Sequence, residues 1–441
     1  MEKINMLIKL GIKYLQRYKR RFGFLFAALA FCFAIVTFIT STKDRMYDNV
    51  YYSAQSHYAG DIVAVGYNSN MSFTHHLGAE EIKAIYDAAN LAQINSQHIV
   101  KRTFFGNTGV VYFNGIPVTQ KYIIGCDWEN EKFLFDRMYF TSGKNESLGD
   151  DGIFISSPVA DQLGAALGDS VTLEVDNKLG QKNTRQFIIR GIVQDSSIFG
   201  YYKVYISRLS LNNLLLFEDD DCSTIGIFLK KPSTAQKARS QLHMILSGKI
   251  QRELLGPLVQ NREEMNREIY GAWTWNGTKI LLYTMPVYLS EISQLMDAMD
   301  YITYLLYGIM LFIIFISASV TYKLILHERA KEMGIMRAIG FFANDLRTVL
   351  WTEVLILGVI SLFTGIMLSA VISLVCSFIS FDWIPGFEIF LRNGKLTALY
   401  LSGTILQNMI LTLLVLCAAV YFPSSRASDK NLPSLLAGEP L

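Results

Sequence analysis

The chain has 441 residues, 51% hydrophobic and 18% charged, with a formal net charge of +2. That is more apolar and less charged than an ordinary soluble protein, and it lacks the basic surplus of a nucleic-acid binder. Four apolar runs each reach the ~20 helical residues that cross a bilayer.

Residues 1–21 place Ile4, Leu7, Ile8, Leu15 and Tyr18 near one helical face, and Lys9, Lys13 and Arg17 on another. This suits a basic amphipathic helix at the cytoplasmic headgroups, and suits equally a plain basic flank that fixes topology. The first span is expected at 22–42, "FGFLFAALAFCFAIVTFITST". It is too long for the apolar core of a signal peptide and no A-x-A site follows it, so a retained span is expected.

Residues 43–299 then form an extracytoplasmic domain. "DIVAVGY" reads as a strand and "GAEEIKAIYDAANL" as a helix; alternating strands follow, with turn signals at Gly106-Asn107 and Asn114-Gly115. From Gly152 the pattern becomes strand, short helix and two long strands around a polar turn at 177–184. Two interleaved α+β lobes are expected, with a β-rich lobe at 152–217 inserted into the first, and a helical stalk at 263–300. The second span is expected at 301–325, a cytoplasmic loop at 326–348 and the third span at 349–380. An external loop at 381–397, the fourth span at 398–421 and a cytoplasmic tail at 422–441 complete the chain. The expected fold is thus an integral membrane α-helical protein of four transmembrane helices, with a large α+β domain of two interleaved lobes between the first and second.

Orientation follows from Lys and Arg beside the spans. Lys3, Lys9, Lys13, Arg17, Lys19, Arg20 and Arg21 precede the first, and Lys323, Arg329, Lys331, Arg337 and Arg347 surround the loop after the second. Residues 381–397 offer only Arg392 and Lys395, offset by Asp382 and Glu388. Both termini are therefore expected in the cytoplasm, and the protein in the cell's inner membrane as a multi-pass protein.

No catalytic constellation is evident. Gly143-Lys144, Gly248-Lys249 and Gly394-Lys395 lack the rest of a P-loop, and His75-His76 reads as a surface loop rather than a metal site. No cofactor and no metal are expected on this chain. Cys126 and Cys222 share the large domain and could pair, though their spacing carries no signal.

In the third span, Ser361, Gly365, Ser369, Ser373 and Ser377 recur every four residues. Such a small-residue ridge lets another helix pack closely, unless the placement is chance. Gln407 and Asn408 should face protein or a polar cavity. Glu353 reads as a carboxylate favoured near a helix N-terminus. Phe22, Phe24, Phe26, Phe31 and Phe33 could line a substrate cavity, with Phe24, Phe31 and Phe33 the candidates, or simply face lipid.

The loop "HERAKEMGIMRAIGFFANDLRT" mixes charge with an apolar face. Met333 and Met336 with Ile335 or Ile339 supply that face; Glu328, Arg329, Glu332 and Arg337 surround it. Gly334 permits close approach and Gly340 can stop the helix. Such a helix could rest on lipid or seat in a partner.

The stretch "HERAKEMGIMRAIGFFANDLRTVLWTEVLILGVISLFTG" resembles the signature of FtsX-like/MacB-type ABC-transporter permeases, an E-[IM]-G-[IL]-[LM]-R-A-[LI]-G core before a span carrying a Glu and small residues. Pro423, Arg426, Ala427, Pro433, Leu435 and Leu436 resemble the family's ending, with Leu432 where an acidic residue is usual. "FISSPVADQLGAALGDSVTLEV" and the strands after it resemble the extracytoplasmic domain of the LolC/LolE lipoprotein-releasing branch. The resemblance implies a non-catalytic permease subunit whose ATP and Mg sit on a separate, dimeric ABC ATPase. That ATPase would dock on the helix carrying Glu328, Glu332, Met333, Gly334, Ile335, Met336, Arg337, Ile339 and Gly340. A second permease chain, identical or not, a lipoprotein or lipid-like substrate and a periplasmic carrier complete the implied partners; nucleic acid is not among them. The turn at 177–184 is shorter than the carrier-binding hairpin of that branch and has no proline. A MacB-like efflux permease for drugs or peptides is the alternative. An FtsX-like regulator of cell-wall hydrolases fits less well with so large a domain.

Overall fold

The computed structural model describes residues 11–13, 15, 17, 19–69, 75–106, 108–194, 202–270, 275–381, 383–384, 390–391 and 394–429. Most of the expected N-terminal amphipathic helix, and the tail from residue 430, lie outside these. The chain divides into two compact units: Met1–Tyr47 with Leu295–Phe381 and Lys395–Leu441, and Asp48–Gln294 with Asp382–Gly394.

In chain order, α1 (Lys19–Tyr58) leads into β1 (Ile62–Asn68), α2 (Ala79–Leu91), β2 (Ser96–Gly106), β3 (Val110–Phe113), β4 (Ile116–Thr119) and β5 (Tyr122–Cys126). Then come α3 (Trp128–Phe135), β6 (Phe140–Gly143), β7 (Gly152–Ser156), α4 (Ser157–Leu163), β8 (Ser170–Asp176), β9 (Lys182–Val193), β10 (Lys203–Ser207) and α5 (Arg208–Leu215). β11 (Thr224–Leu229), α6 (Ala235–Ser247), α7 (Arg262–Tyr270), β12 (Thr278–Thr284) and α8 (Met285–Tyr288) complete the large domain. Four further helices follow: α9 (Ser290–Glu328), α10 (Ala330–Ala338), α11 (Ala343–Cys376) and α12 (Ser402–Asp429).

The strands pair in the order β12-β1-β11-β2-β5-β10-β7-β9-β8-β3-β4, with β6 on β9. The two largest hydrophobic cores along this path, among the described residues, divide its strands between them. In one, Ile62, Ala64, Ile225, Ile227, Ile280 and Leu282 of the strands meet Ile82, Ile85, Leu242 and Leu246 of α2 and α6. In the other, Ile123, Ile153, Ile155, Leu173, Phe187, Ile189 and Ile206 meet Val159 and Leu163 of α4 and Leu211 and Leu215 of α5. β2 serves both: Ser96–Arg102 pairs with β11 and Thr103–Gly106 with β5. The second lobe therefore begins inside β2, and takes in β3, β4 and β5, instead of starting at Gly152. β2 runs from Ser96 to Gly106 without a break while its partner changes after Arg102, so sequence alone does not mark the border.

Residues 263–300 are also not one stalk. After Gly277, held at φ +105°, the run "TKILLYT" forms β12 and pairs with β1 over all seven of its residues. Its buried, β-branched and aromatic content suits a strand better than a helix. The continuous helix starts only at Ser290.

Among the described residues, four helices are long and apolar enough to cross a membrane: the 37-residue stretches Phe22–Tyr58 and Ile292–Glu328, then Ala343–Cys376 and Ser402–Ser425. The first does not end at Thr42, where the apolar run does. At ~1.5 Å per residue the 40 residues of α1 reach about 60 Å, twice a bilayer's ~30 Å hydrocarbon thickness. Leu25 and Leu29 of α1, Ile314, Ala318 and Ile325 of α9, Leu350, Val354 and Leu357 of α11 and Leu416 and Val420 of α12 share one core.

Candidate functional site

α10 is set between two spans by Arg329 on one side and Gly340 on the other. Gly340 takes φ +104°, a conformation that side chains resist, and its N–H bonds Arg337 O at 3.1 Å to close the helix. The expected apolar face divides in two. Met333 and Met336 point inward, into the core shared with the spans, and Gly334 is buried beside them. Ile335 and Ile339 point out, 55% and 71% exposed, and Phe342, at the start of α11, is 72% exposed. Spacing explains the split: 333 and 336 sit one turn apart on one side of the helix, while Ile335 lies on the other and Ile339 follows it one turn on, at the helix's end. Glu328 and Lys331 flank the outer face and are exposed; Arg337 is half-buried. Glu332 lies between Arg329 and Arg17, at 3.9 and 3.8 Å.

Arg329 and Glu353 form the feature that sequence reading missed. Both are buried, and the guanidinium donates to the carboxylate through two parallel bonds, Nη1 to Oε2 at 2.7 Å and Nη2 to Oε1 at 3.0 Å. Glu353 stands well inside α11, beyond the first turn in which a helix N-terminus stabilises negative charge, so that earlier explanation does not hold. One turn away, the Tyr322 hydroxyl of α9 donates to Leu350 O of α11 at 3.0 Å.

Ser361, Gly365 and Ser369 face the interior of the same chain. A Cβ on Gly365 would lie 2.9 Å from Ala30 O and from Phe33 Cδ1, so the ridge's partner is α1. Ser369 Oγ meets Tyr400 Oη at 3.1 Å, and Ser361 donates to Leu357 O of its own helix at 2.7 Å. Phe24, Phe31 and Phe33 do not converge: Phe33 is buried against Gly365, whereas Phe24 and Phe31 lie on the exposed face of α1. Asn408 donates to Thr40 Oγ1 at 2.8 Å, but Gln407 is exposed, contrary to expectation, because adjacent helical positions point about 100° apart.

In the large domain, the end of α1 is anchored by Arg102 of β2. Its Nη1 donates to Ser56 O at 2.6 Å and His57 O at 3.0 Å, carbonyls that a helix end leaves without partners. Its Nε donates to Glu131 Oε2 at 2.7 Å, and both side chains are fully buried. Burial pushes the Glu131 carboxyl above its ordinary range, with Arg102 pulling the other way. Asp61 accepts from Tyr51 at 2.7 Å, Gln55 at 2.6 Å and Leu229 N at 2.7 Å. Tyr58 stacks on Tyr288, with ring centroids 3.6 Å apart. The last turns of α1 and the segment leading into α9 are thereby joined within this unit.

His76 is not on a surface loop: it is buried, its Nε2 is 2.9 Å from Asp221 Oδ2, and its ring meets Phe217 edge-on. Cys126 and Cys222 are both free and buried, so the pairing left open by sequence does not form. Burial pushes the Cys222 thiol up to about 12, with Lys101 and Arg208 pulling it down. Among the described residues, no three His, Cys, Asp or Glu side chains are grouped to hold a metal.

The MacB-like periplasmic core domain matches residues 25–245, and the FtsX-like permease C-terminal domain matches residues 304–432. The periplasmic region of MacB from Actinobacillus actinomycetemcomitans is 13% identical, with TM-score 0.30, over 55% of this chain and 95% of that one. The extracellular domain of the ABC-type transporter YknZ from Gram-positive bacteria is 12% identical, with TM-score 0.30, over 43% of this chain and 93% of that one. No curated protein matches the chain. The two family domains between them take in most of the large α+β domain and the span-loop-span region that carries α10, and the chain belongs to the FtsX/MacB-type ABC transporter permeases, multi-pass membrane proteins that work with ABC ATPases.

Proposed function

We propose that this permease docks a separate ABC ATPase on the outer face of α10 and uses its closure to release acylated lipoproteins from the outer leaflet of the inner membrane. The observation that carries the docking is the exposed apolar set of Ile335 on α10, Ile339 at its C-terminal end and Phe342 just past Gly340, beside a helix whose other side is already committed to the permease's own core. The ATPase supplies ATP and Mg; α9, unbroken from Ser290 to Glu328, takes the motion toward the large domain. Both termini and α10 lie in the cytoplasm, as the distribution of Lys and Arg supports. A second permease chain completes the transporter.

The cargo reading rests on the resemblance of residues 154–217 to the lipoprotein-releasing branch and on energetics. Three acyl chains of about sixteen carbons, at ~0.8 kcal/mol per CH₂, hold a lipoprotein by roughly 35–40 kcal/mol, so release needs an energy source. The exposed Phe24 and Phe31 of α1 offer a surface for such chains. The β8–β9 turn is tight, Gly180 N–H bonding Asn177 O at 2.9 Å, which does not favour carrier recruitment by this subunit. A second reading, export of amphipathic drugs or peptides, is supported by the MacB-like match over residues 25–245.

The reconstituted permease–ATPase complex should release a triacylated lipoprotein to a soluble acceptor only when ATP is present. A complex indifferent to lipoproteins, whose ATP turnover rises with amphipathic drugs or peptides, would establish the second reading instead.

A further inference from the structure

The joint between α9 and α10 is a single buried residue. Arg329 departs from helical geometry only modestly, at φ −92° and ψ 6°. Its N–H still bonds Ile325 O at 3.2 Å, and its carbonyl accepts from Met333 N–H at 3.0 Å. The two helices thus pass on their hydrogen-bond ladder through Arg329, a joint that can flex unless side chains brace it.

The brace is the fork on Glu353. From α9, Tyr322 reaches Leu350 O; from the joint, Arg329 grips Glu353 three residues later on α11. The N-terminal segment covers the same turn, since a Cβ on Gly11 would lie 3.5 Å from Glu353 Cγ. Arg329 also faces Glu332, and Glu332 faces the exposed Arg17, so charges alternate from the buried pair outward. Holding the bundle together does not require ions here. A buried ion pair loses hydration that its attraction need not recover, and a well-packed apolar pair of similar volume often serves as well or better. What an apolar pair lacks is a fixed angle, which two parallel N–H···O bonds in one plane impose.

We propose that Arg329 is a positioning residue, clamping α10 to α11 so that a load on the outer face of α10 moves α9 and α11 as one body. The proposal rests on the docking reading above.

The test uses the full-length permease with the ATPase it captures, carrying a fluorophore on Leu179→Cys at the exposed β8–β9 tip, in a background with Cys376 and Cys417 changed to serine. Two variants are compared with the native pair: Arg329→Met/Glu353→Leu, which removes both charges, and Glu353→Gln, which keeps the shape. Both should capture the ATPase and hydrolyse ATP within about twofold of native, while the ATP-driven emission change falls about fivefold or more in the double variant and less in Glu353→Gln. Native-sized emission changes in both variants would overturn the clamp. So would failure of both to fold, or of the double variant alone while Glu353→Gln responds as native, since the pair would then serve folding only. A native complex that captures the ATPase but shows no ATP-driven change overturns it too. If the native permease captures no ATPase, the docking reading falls and the clamp falls with it.

Discussion

Arg102 performs at one end of α1 the kind of task that Arg329 performs at the end of α9: it carries a charge into a buried place and turns it on a junction. Two of its bonds go to the carbonyls of Ser56 and His57, where a helix C-terminus favours a cation, and the rest of the fork goes to Glu131. Arg102→Met should cost about 3–5 kcal/mol of large-domain stability, because it strands a buried carboxylate. Arg102→Met/Glu131→Leu should recover part of that loss, leaving the two carbonyls unpaired. Thermal melting of the full chain in detergent checks the order; a double variant no more stable than the single would refute this account. Neither arginine was legible as an anchor. Arg102 and Glu131 stand 29 residues apart, and Arg329 and Glu353 stand 24 apart, so no local period joins them.

For an element such as α10, periodicity shows that apolar residues are present on a helix but not which side the rest of the chain covers. Met333 and Met336 were grouped with Ile335 and Ile339 because all four are apolar and near in sequence; the spans decide otherwise. The two faces should respond differently to charge. Ile339→Glu and Phe342→Glu add carboxylates to solvent-exposed positions, and should leave folded yield unchanged while ATPase capture drops about tenfold or more, as loss of an apolar anchor typically costs ~2 kcal/mol. Met336→Glu instead puts a carboxylate among Leu346, Leu350 and their neighbours, and should lower the yield of folded permease itself. Size-exclusion profiles and pull-down yields from the same membranes separate the outcomes. Intact capture by both outer-face variants would place the docking surface elsewhere. The same limit hid β12: seven residues of strand were read into a helical stalk because the partner strand, β1, lies more than two hundred residues earlier.

Across the whole molecule, four spans and a large α+β insertion between the first two could be read directly, since span length and Lys/Arg placement depend on no distant partner. The limits of the lobes within the large domain could not, because they turn on strand pairing. The orientation has its own test at this scale. In intact spheroplasts, a membrane-impermeant thiol reagent should label a cysteine at Leu179, and should leave one at Ile339 unlabelled until the membrane is opened. Equal labelling of both would reverse or void the topology.

β2 has a consequence for how the large domain comes apart. It contributes Ser96–Arg102 to the sheet over one core and Thr103–Gly106 to the sheet over the other, and Arg102, at the changeover, also holds the end of α1. Neither core can open fully without drawing on a strand that the other still needs. The two should therefore melt in one cooperative step rather than in succession, with the amides near residue 102 among the last to exchange with solvent.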